Sequence, residues 1–493
     1  MSLLCLTLCR NTLAANLEDL KMNTPHMAEL RIDLLDPPER KHISDFPARA
    51  GIPLILTCRK KADGGEWSGT DSERESLLLA AMAGDFDYMD LEEDETSRRL
   101  VAEAEQRNTR IIRSFHDFKG VPSDLMQRLE AMSLKGDLVK AAVMPRGIAD
   151  LLTLFKTGRQ WREENPGKNN LILLGMGAFG VPSRILAQRC ASFLTFCSPA
   201  GAEAAPGHMS RQTLEELYRV PEIDDDTQIF GIIGNPVLHT RSPHIHNPGF
   251  QDLGINAVYV PFTVDDVSAF FELADFLDIR GFSTTVPHKL AVREHLDRED
   301  EAVQAVSSCN TVVRSRKGWE GFNTDVEGFL RPLISRAGVL NGKTAAVIGA
   351  GGAARAVVYA LVREGCRVSI FNRTESRAAA LASEMGCSGY SLDKLRAEMD
   401  EGERYDIVVQ TSSVGMHGTE GPSNPVPFYR FTGSELVYDI IYTPPVTEIM
   451  QRALDAGAAV LGGMPMLREQ AFEQFLLFTG AEYPRKSSGM DQE

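Results

Sequence analysis

Lys140 stands in DLVKAAVMP (137–145), a run that is otherwise apolar after its first residue. A lysine inside a buried strand needs either a paired charge or a lowered pKa. A desolvated lysine near cationic neighbours is the form that builds a Schiff base with a carbonyl compound. Polar groups recur at the ends of neighbouring apolar runs: Glu29, Arg31 and Asp33, then Arg59 followed by Asp63, then His116 with Asp117, then Ser183 and Arg184. Singly, each reads as a rim ion pair or a snorkelling stem. Their repetition at strand ends sets them apart.

A second constellation is AAVIGAGGAARAVVYALVREGCRVSIFNRT (345–374). A short apolar run meets Gly349, Ala350, Gly351, Gly352 and Ala353, a helix-forming stretch follows, and a second apolar run ends at Asn372-Arg373-Thr374. Strand, glycine turn, helix and strand make a βαβ unit with the dinucleotide fingerprint in its first turn, Ala354 taking the third glycine place. Glycine lets the backbone approach a pyrophosphate, and the helix N-terminus stabilises it. NAD sites place an acid about 20 residues on, whereas Arg373 suits a 2′-phosphate, so the pattern favours NADP. The alternative for Arg373 is a surface arginine in a βα loop. A third stretch, Ile229 to His244, feeds a strand into a loop carrying Thr240 and Ser242. These hydroxyls suit a carboxylate, or the start of a capped helix.

Eight apolar runs position the first constellation: Leu3–Cys9, Met27–Leu35, Pro53–Arg59, Tyr88–Glu93, Arg110–Phe118, Asp137–Pro145, Leu171–Gly177 and Ser192–Cys197. Helical spacing is clearest in Asp71–Ala83, Ala149–Glu164 and Arg184–Cys190. Eight strands alternating with helices over some 220 residues predict an α/β fold of (β/α)8 TIM-barrel type, with chemistry at the C-terminal strand ends. An open doubly wound sheet is the other arrangement, but it seldom needs eight strands.

The chain has 493 residues, which suggests about three domains. Its net charge of −16 argues against a nucleic-acid partner. Eight cysteines without CxxC pairing read as reduced and buried, which points to a reducing compartment. No apolar run reaches membrane-spanning length, and MSLLCLTLCR lacks the marks of a leader, so a cytoplasmic location is expected. Cysteine and histidine spacing offers no metal site.

ELRID, SFHDF, LVKAAVMP, GMGAFGVPSR and AAPGH resemble type I 3-dehydroquinate dehydratase across residues 1–220. The resemblance implies that Lys140 forms an imine with the substrate ketone and His116 is the general acid/base, oriented by Asp63 where relatives carry Glu. It implies further that Glu29, Arg31, Arg59 and Arg184 hold the substrate's carboxylate and hydroxyls. His208 stands where relatives have Gln, and Ala204 where they have Ser. It joins the substrate-binding set.

From about 229 to 480 the chain resembles shikimate dehydrogenase, through GFSTTVPHKL, SSCNTV, GFNTDVEG, TSSVGM, YDIIYTPPVT and GGMPMLREQA. That implies a Lys289–Asp325 catalytic dyad, Thr240 and Ser242 on the substrate carboxylate, and Thr285, Asn310 and Gln470 on its hydroxyls. Gly463 joins the cofactor-binding set. Departures are Ser283 for Asn, Thr240 for Ser, Cys309 for Val and Gln410 for Asn.

The expected domains are 1–222 (dehydratase barrel), 228–328 with 457–493 returning to it (α/β substrate domain), and 329–456 (Rossmann NADP-binding domain). Together the two resemblances imply a bifunctional enzyme that dehydrates 3-dehydroquinate to 3-dehydroshikimate and reduces that to shikimate with NADPH. Its expected partners are small molecules, with neither nucleic acid nor membrane. A quinate/shikimate dehydrogenase acting in degradation and a non-catalytic quinate-sensing regulator are the rival readings.

Overall fold

The structure is a computed structural model and describes residues 2–199, 207–418 and 421–484. Ala204 lies outside the described residues. The chain forms two compact units, one of residues 1–279 and one of residues 280–493.

In the first unit eight parallel strands follow one another: β1 Leu3–Leu8, β2 Met27–Arg31, β3 Leu54–Thr57, β4 Tyr88–Glu92, β5 Arg110–Asp117, β6 Leu138–Val143, β7 Leu171–Gly175 and β8 Leu194–Cys197. Each pairs with its chain neighbour up to β7, and β1 also pairs with β8. The remaining seam is bridged by Phe193 N–H to Leu171 O at 2.6 Å and Leu173 N–H to Ser192 Oγ at 3.0 Å. The result is a (β/α)8 barrel.

Side-chain alternation decides what fills it. On β6, Leu138 and Ala142 join Cys5, Met27, Ile55, Ile112 and Ile172 in one cluster, the barrel interior. Val139, Ala141 and Val143 pack with Leu154 and Trp161 of the helix Ile148–Glu164 in another. Lys140 therefore shares the inward face with Leu138 and Ala142. Two expected elements differ. The second strand stops at Arg31, and Ile32–Leu34 turns as a 3-10 helix, so Asp33 leaves the strand face and salt-bridges back to Arg31. The helix expected at Arg184–Cys190 instead runs Gly177–Ile185, followed by a 3-10 turn Ala187–Cys190, because GMGAF supplies the small residues that let it lie on β7. There a Cβ on Gly180 would collide with the Gly175 backbone.

The same unit continues through β9 Gln228–Gly234, the helix Ser242–Asp252, β10 Ala257–Thr263 and the helix Val267–Leu277. β9 and β10 pair in parallel. This segment is tied to the barrel by Arg162 to Asp225 at 3.1 Å and by Arg189 Nη2–H to Thr227 O at 2.9 Å.

In the second unit, β11 Ile279–Thr284, β12 Arg298–Glu299, β13 Thr311–Ser315 and β14 Gly318–Phe322 form antiparallel β11–β13 and β13–β14 pairs and a parallel β12–β14 pair. The helix Asp325–Ala337 leads to β15 Thr344–Ile348, β16 Arg367–Asn372, β17 Ser388–Ser391, β18 Ile407–Gln410, β19 Leu436–Asp439 and β20 Ala459–Leu461. These six are parallel in the order β17-β16-β15-β18-β19-β20, the doubly wound dinucleotide-binding order. Ala345 and Val347 face one apolar layer and Ala346 and Ile348 the other, so the sheet is covered on both sides. Its last strand lies beyond residue 456, because Val437 and Tyr438 pair with Val460 and Leu461.

Candidate active sites

Within the barrel Lys140 is 4% exposed. Its Nζ lies 3.2 Å from Glu29 Oε1, 3.0 Å from Asp90 Oδ2 and 4.3 Å from the Phe196 ring centroid. Its charge is thus paired with two carboxylates. Asp90 also takes Arg59 Nη2–H at 2.7 Å and the Ser114 hydroxyl, and Glu29 takes the Thr57 hydroxyl at 3.0 Å. Arg59 further reaches Glu92 at 3.3 Å, and Glu92 is held from behind by Arg74. Burial works against ionising Glu29 and Asp90, but the cations around them outweigh it and hold both below the usual carboxylate range.

Asp90, Glu92 and Ser114 were not singled out from the sequence. The signal was available. On YMDLE, residues 88, 90 and 92 have one parity, so if Tyr88 faces the interior both acids must follow.

His116 sits on β5 with the inward parity of Ile112 and Ser114. Its Nδ1 is 3.6 Å from Asp63 Oδ1 and is buried without a hydrogen-bond partner among the described residues. The same Asp63 oxygen instead accepts the His116 backbone N–H at 3.3 Å. The shorter side chain reaches the main chain and not the ring. Burial, then the charges of Arg59 and Lys140, push the His116 pKa well below its ordinary value. Burial pushes Asp63 up.

Arg184 donates Nε–H to Gly175 O at 3.1 Å, and its buried Nη1 has no hydrogen-bond partner among the described residues. Burial alone lowers it to about 10. A buried guanidinium in that state is a receptor for an anion. Arg31 differs, being bound to Asp33 through two hydrogen bonds of 3.0 and 2.8 Å. Glu29, Arg31, Arg59, Asp63, His116, Lys140, Arg184 and His208 line one cavity of about 120 Å³. Burial lowers the His208 pKa, and Arg184 and Lys140 lower it further.

In the second unit Lys289 Nζ lies 2.5 Å from Asp325 Oδ2. The other carboxylate oxygen accepts Asn310 Nδ2–H at 2.9 Å, while Asn310 Oδ1 accepts Thr324 N–H at 2.9 Å. Asp325 opens its helix, so its position is fixed by the backbone turn at Asn323–Thr324. Thr285 is half-buried, one residue past β11. Ser283 donates to Gln474 at 2.7 Å, which ties the departing residue to the helix Gly463–Thr479. Gln470 on that helix packs its Cβ over Gly328 and donates to Leu467 O at 2.8 Å. In the first unit, Thr240 Oγ1 accepts Ser242 N–H and bonds the Ser242 hydroxyl, both at 3.2 Å.

The glycine turn between β15 and the helix Gly352–Arg363 fits a dinucleotide phosphate. Gly349 has φ +116°, where a Cβ would press on Thr411 Oγ1 at 2.6 Å. Beyond it, added side chains at Gly351 and Gly352 would meet open space, the room a pyrophosphate needs. Ala350 and Ala353 are half-buried beside them. Asn372 donates to Thr374 O at 2.9 Å, and the intervening Arg373 is exposed, with no ion pair among the described residues. Gln410 braces the following loop, donating to Ser412 O and Val414 O at 3.0 Å each. Gly463 bonds Ile441 O at 3.0 Å and has no room for a side chain against Ile440 O.

A barrel that buries an amine among carboxylates, joined to a unit with a lysine–carboxylate pair and a dinucleotide fold, defines a two-site metabolic enzyme. The sequence patterns of three families match in succession: type I 3-dehydroquinase at residues 4–225, the shikimate dehydrogenase substrate binding domain at 232–312, and shikimate/quinate 5-dehydrogenase at 334–418. The chain is 31% identical over 484 residues to the chloroplastic bifunctional 3-dehydroquinate dehydratase/shikimate dehydrogenase of Arabidopsis thaliana, covering 93% of this chain and 78% of that one. It is 29% identical over 455 residues to the shikimate biosynthesis protein AroDE of Chlamydia pneumoniae, covering 91% and 89%. Over 268 residues it is 39% identical to the NADP(+) shikimate dehydrogenase of Caldanaerobacter subterraneus subsp. tengcongensis, covering 52% and 94%. The chain belongs to the bifunctional 3-dehydroquinate dehydratase/shikimate dehydrogenase family.

Proposed function

We propose that this chain carries one carbon skeleton through two successive reactions, with Lys140 and His116 serving the first and Lys289 and Asp325 the second. It is a 3-dehydroquinate dehydratase and an NADP-dependent shikimate dehydrogenase of the shikimate pathway.

In the barrel, the neutral Lys140 amine adds to the C3 ketone and water leaves, giving an imine. Glu29 and Asp90 are the acceptors within reach of the proton the ammonium sheds. His116 removes the proton from the adjacent carbon, and the electron pair moves into the imine nitrogen. The same imidazole, now protonated, gives its proton to the departing hydroxide, and hydrolysis of the imine frees 3-dehydroshikimate and Lys140. A base kept neutral by burial is ready for the first proton transfer. Arg184, whose Nη1 has no hydrogen-bond partner among the described residues of that cavity, is assigned the substrate carboxylate. Arg59 and Arg31 hold the acids in place and bind hydroxyls, and His208 contributes to the same wall.

In the second reaction NADPH supplies the hydride when bound. Lys289 gives a proton to the oxygen of the reduced carbonyl, and Asp325 keeps the ammonium aimed. The Asn310 amide restrains Asp325 from its other side. Thr285 and Gln470 are assigned to substrate hydroxyls, and Thr240 and Ser242 to a carboxylate. Gly349, Ala350, Gly351, Gly352 and Ala353 form the cradle for the pyrophosphate. Asn372, Arg373 and Thr374 are assigned the 2′-phosphate of the adenosine. Gly463 lets its helix start close to the Ile440 carbonyl.

The observation that carries the dehydratase reading is the buried Lys140 amine in a cavity shared with an imidazole Nδ1 (His116) and a guanidinium Nη1 (Arg184) that have no hydrogen-bond partner among the described residues. Borohydride added with 3-dehydroquinate should fix the ligand to the wild-type chain and raise its mass. The Lys140→Ala variant should show no mass increase and only background dehydration, while still oxidising NADPH with 3-dehydroshikimate. Labelling of the variant would overturn the assignment.

A further inference from the structure

The dehydratase face of the barrel is braced by a residue from the dehydrogenase half. Asp265 follows β10, inside the segment matching the shikimate dehydrogenase substrate binding domain. Its Oδ1 accepts the backbone N–H of Ile148 at 2.9 Å. Ile148 is the first residue of the barrel helix Ile148–Glu164, which has no side-chain cap of its own, so Asp265 serves as its N-cap from elsewhere in the chain. The capped turn belongs to the loop directly after β6, the strand that carries Lys140. Gly147 has an ordinary extended backbone, yet any Cβ there would collide with Asp265 Oδ2. The glycine thus leaves room for the carboxylate, which a side chain there would push aside, while its own extended conformation would suit any residue.

The next residue back carries the contact towards the cavity. Arg146 donates Nε–H to Lys119 O at 3.0 Å and Nη2–H to Phe118 O at 2.9 Å, while its own N–H is held by Asp150 at 2.8 Å. Phe118 stacks on His116 with ring centroids 6.5 Å apart and planes 19° apart, and its ring edge fills the space a side chain would take at Gly64, beside Asp63. It is part of the cavity wall together with His116 and Asp63. A second tie secures the same helix, Arg159 Nη2–H to Phe276 O at 2.8 Å, with the guanidinium over the Phe276 ring at 3.7 Å.

We propose that Asp265 is a positioning residue for the dehydratase reaction, setting the β6 loop so that Arg146 clamps Phe118 against His116. This rests on His116 being the dehydratase base. The dehydrogenase half therefore supplies part of the frame for the other reaction, and the two activities share a chain for more than proximity of their products.

The test uses the full chain, with dehydration measured on 3-dehydroquinate and reduction measured separately on 3-dehydroshikimate. Asp265→Ala should lower dehydratase kcat by about tenfold, short of the roughly hundredfold that a 1 Å misplacement can cost, with KM little changed and the dehydrogenase rate unaltered. Loosening Phe118 also admits water to the imidazole, so the acid limb of the dehydratase profile should move to higher pH. Asp265→Asn, whose amide oxygen still accepts the Ile148 N–H, should retain most of the rate. Gly147→Ala should impair dehydration, and adding Asp265→Ala should bring it back to the level of Asp265→Ala alone, since the clash is gone. Wild-type dehydration in Asp265→Ala would overturn the proposal. So would equal loss of both activities with a lowered Tm, or losses that multiply in the Gly147→Ala/Asp265→Ala double variant. A His116→Ala variant run alongside separates the two failures. If it keeps its dehydratase activity the base is misassigned, and if it is silent while Asp265→Ala is normal, only the positioning role fails.

Discussion

Asp63 shows how one methylene bears on His116, the histidine assigned as the dehydratase base. A carboxylate hydrogen-bonded to Nδ1 stabilises the imidazolium and raises its pKa. Here the ring nitrogen is 3.6 Å away, beyond a good hydrogen bond, and the carboxylate serves the backbone instead. With burial, Arg59 and Lys140 all favouring the neutral form, His116 stays unprotonated well below its ordinary value of 6.5. The base form persists as pH falls, so the acid limb of dehydratase kcat is expected below 6.5. Asp63→Glu extends the carboxylate towards Nδ1, favours the charged ring and should move that limb upward. A pH–rate profile decides it, and an unmoved or lowered limb would count against this account of His116. Replacing the imidazole itself, as in His116→Ala, should cost about 10²–10⁴ in kcat. The residues around Lys140 also show the limits of sequence. Lys140, Glu29 and Arg59 stand out because each is a polar residue within or next to an apolar run, and Arg184 because it follows one closely. Asp90 also lies in such a run, but YMDLEE runs into a stretch of surface acids; barrel parity separates Asp90 and Glu92 from Glu93, and the end of β4 at Glu92 separates them from Asp94.

Elements decide whether a well-chosen side chain arrives where it is needed. The βαβ turn was legible because glycine spacing, helix composition and strand length all agree there. Boundaries were less so. Asp33 continues the alternation of Glu29 and Arg31 on paper, yet the chain turns at Ile32 because Asp33 also accepts the Arg59 and Glu66 backbone N–H groups. β20 was missed because it has only three half-buried residues. Two substitutions test the dinucleotide element. Arg373→Asp should weaken NADPH relative to NADH by about tenfold or more, since a charged hydrogen bond of roughly 1.5–3 kcal/mol is replaced by repulsion. A ratio of KM values that does not move would remove Arg373 from the site. Gly463→Ala must displace the start of its helix from the Ile440 carbonyl, with a cost of about 1–3 kcal/mol for overpacking. Its thermal unfolding should begin earlier, with dehydrogenase activity lost before dehydratase activity. An unchanged melting profile would show that the helix can slide.

At the scale of the whole chain, alternation of strand and helix predicted the barrel, and the glycine fingerprint in its βαβ setting predicted the dinucleotide fold that follows it. What no periodicity carries is tertiary choice: which seam of the barrel is bridged through Ser192, or which helix takes its cap from Asp265. Both depend on residues more than a strand-length apart in sequence. The fold, the family and the chemistry of the two sites converge on one claim, that a single chain converts 3-dehydroquinate to shikimate. The measurement that tests it most directly is to mix the purified full chain with 3-dehydroquinate and NADPH, with no other enzyme, following NADPH absorbance and identifying the product. Oxidation of NADPH in step with shikimate formation is expected. No oxidation, with neither 3-dehydroshikimate nor shikimate formed, would contradict the account.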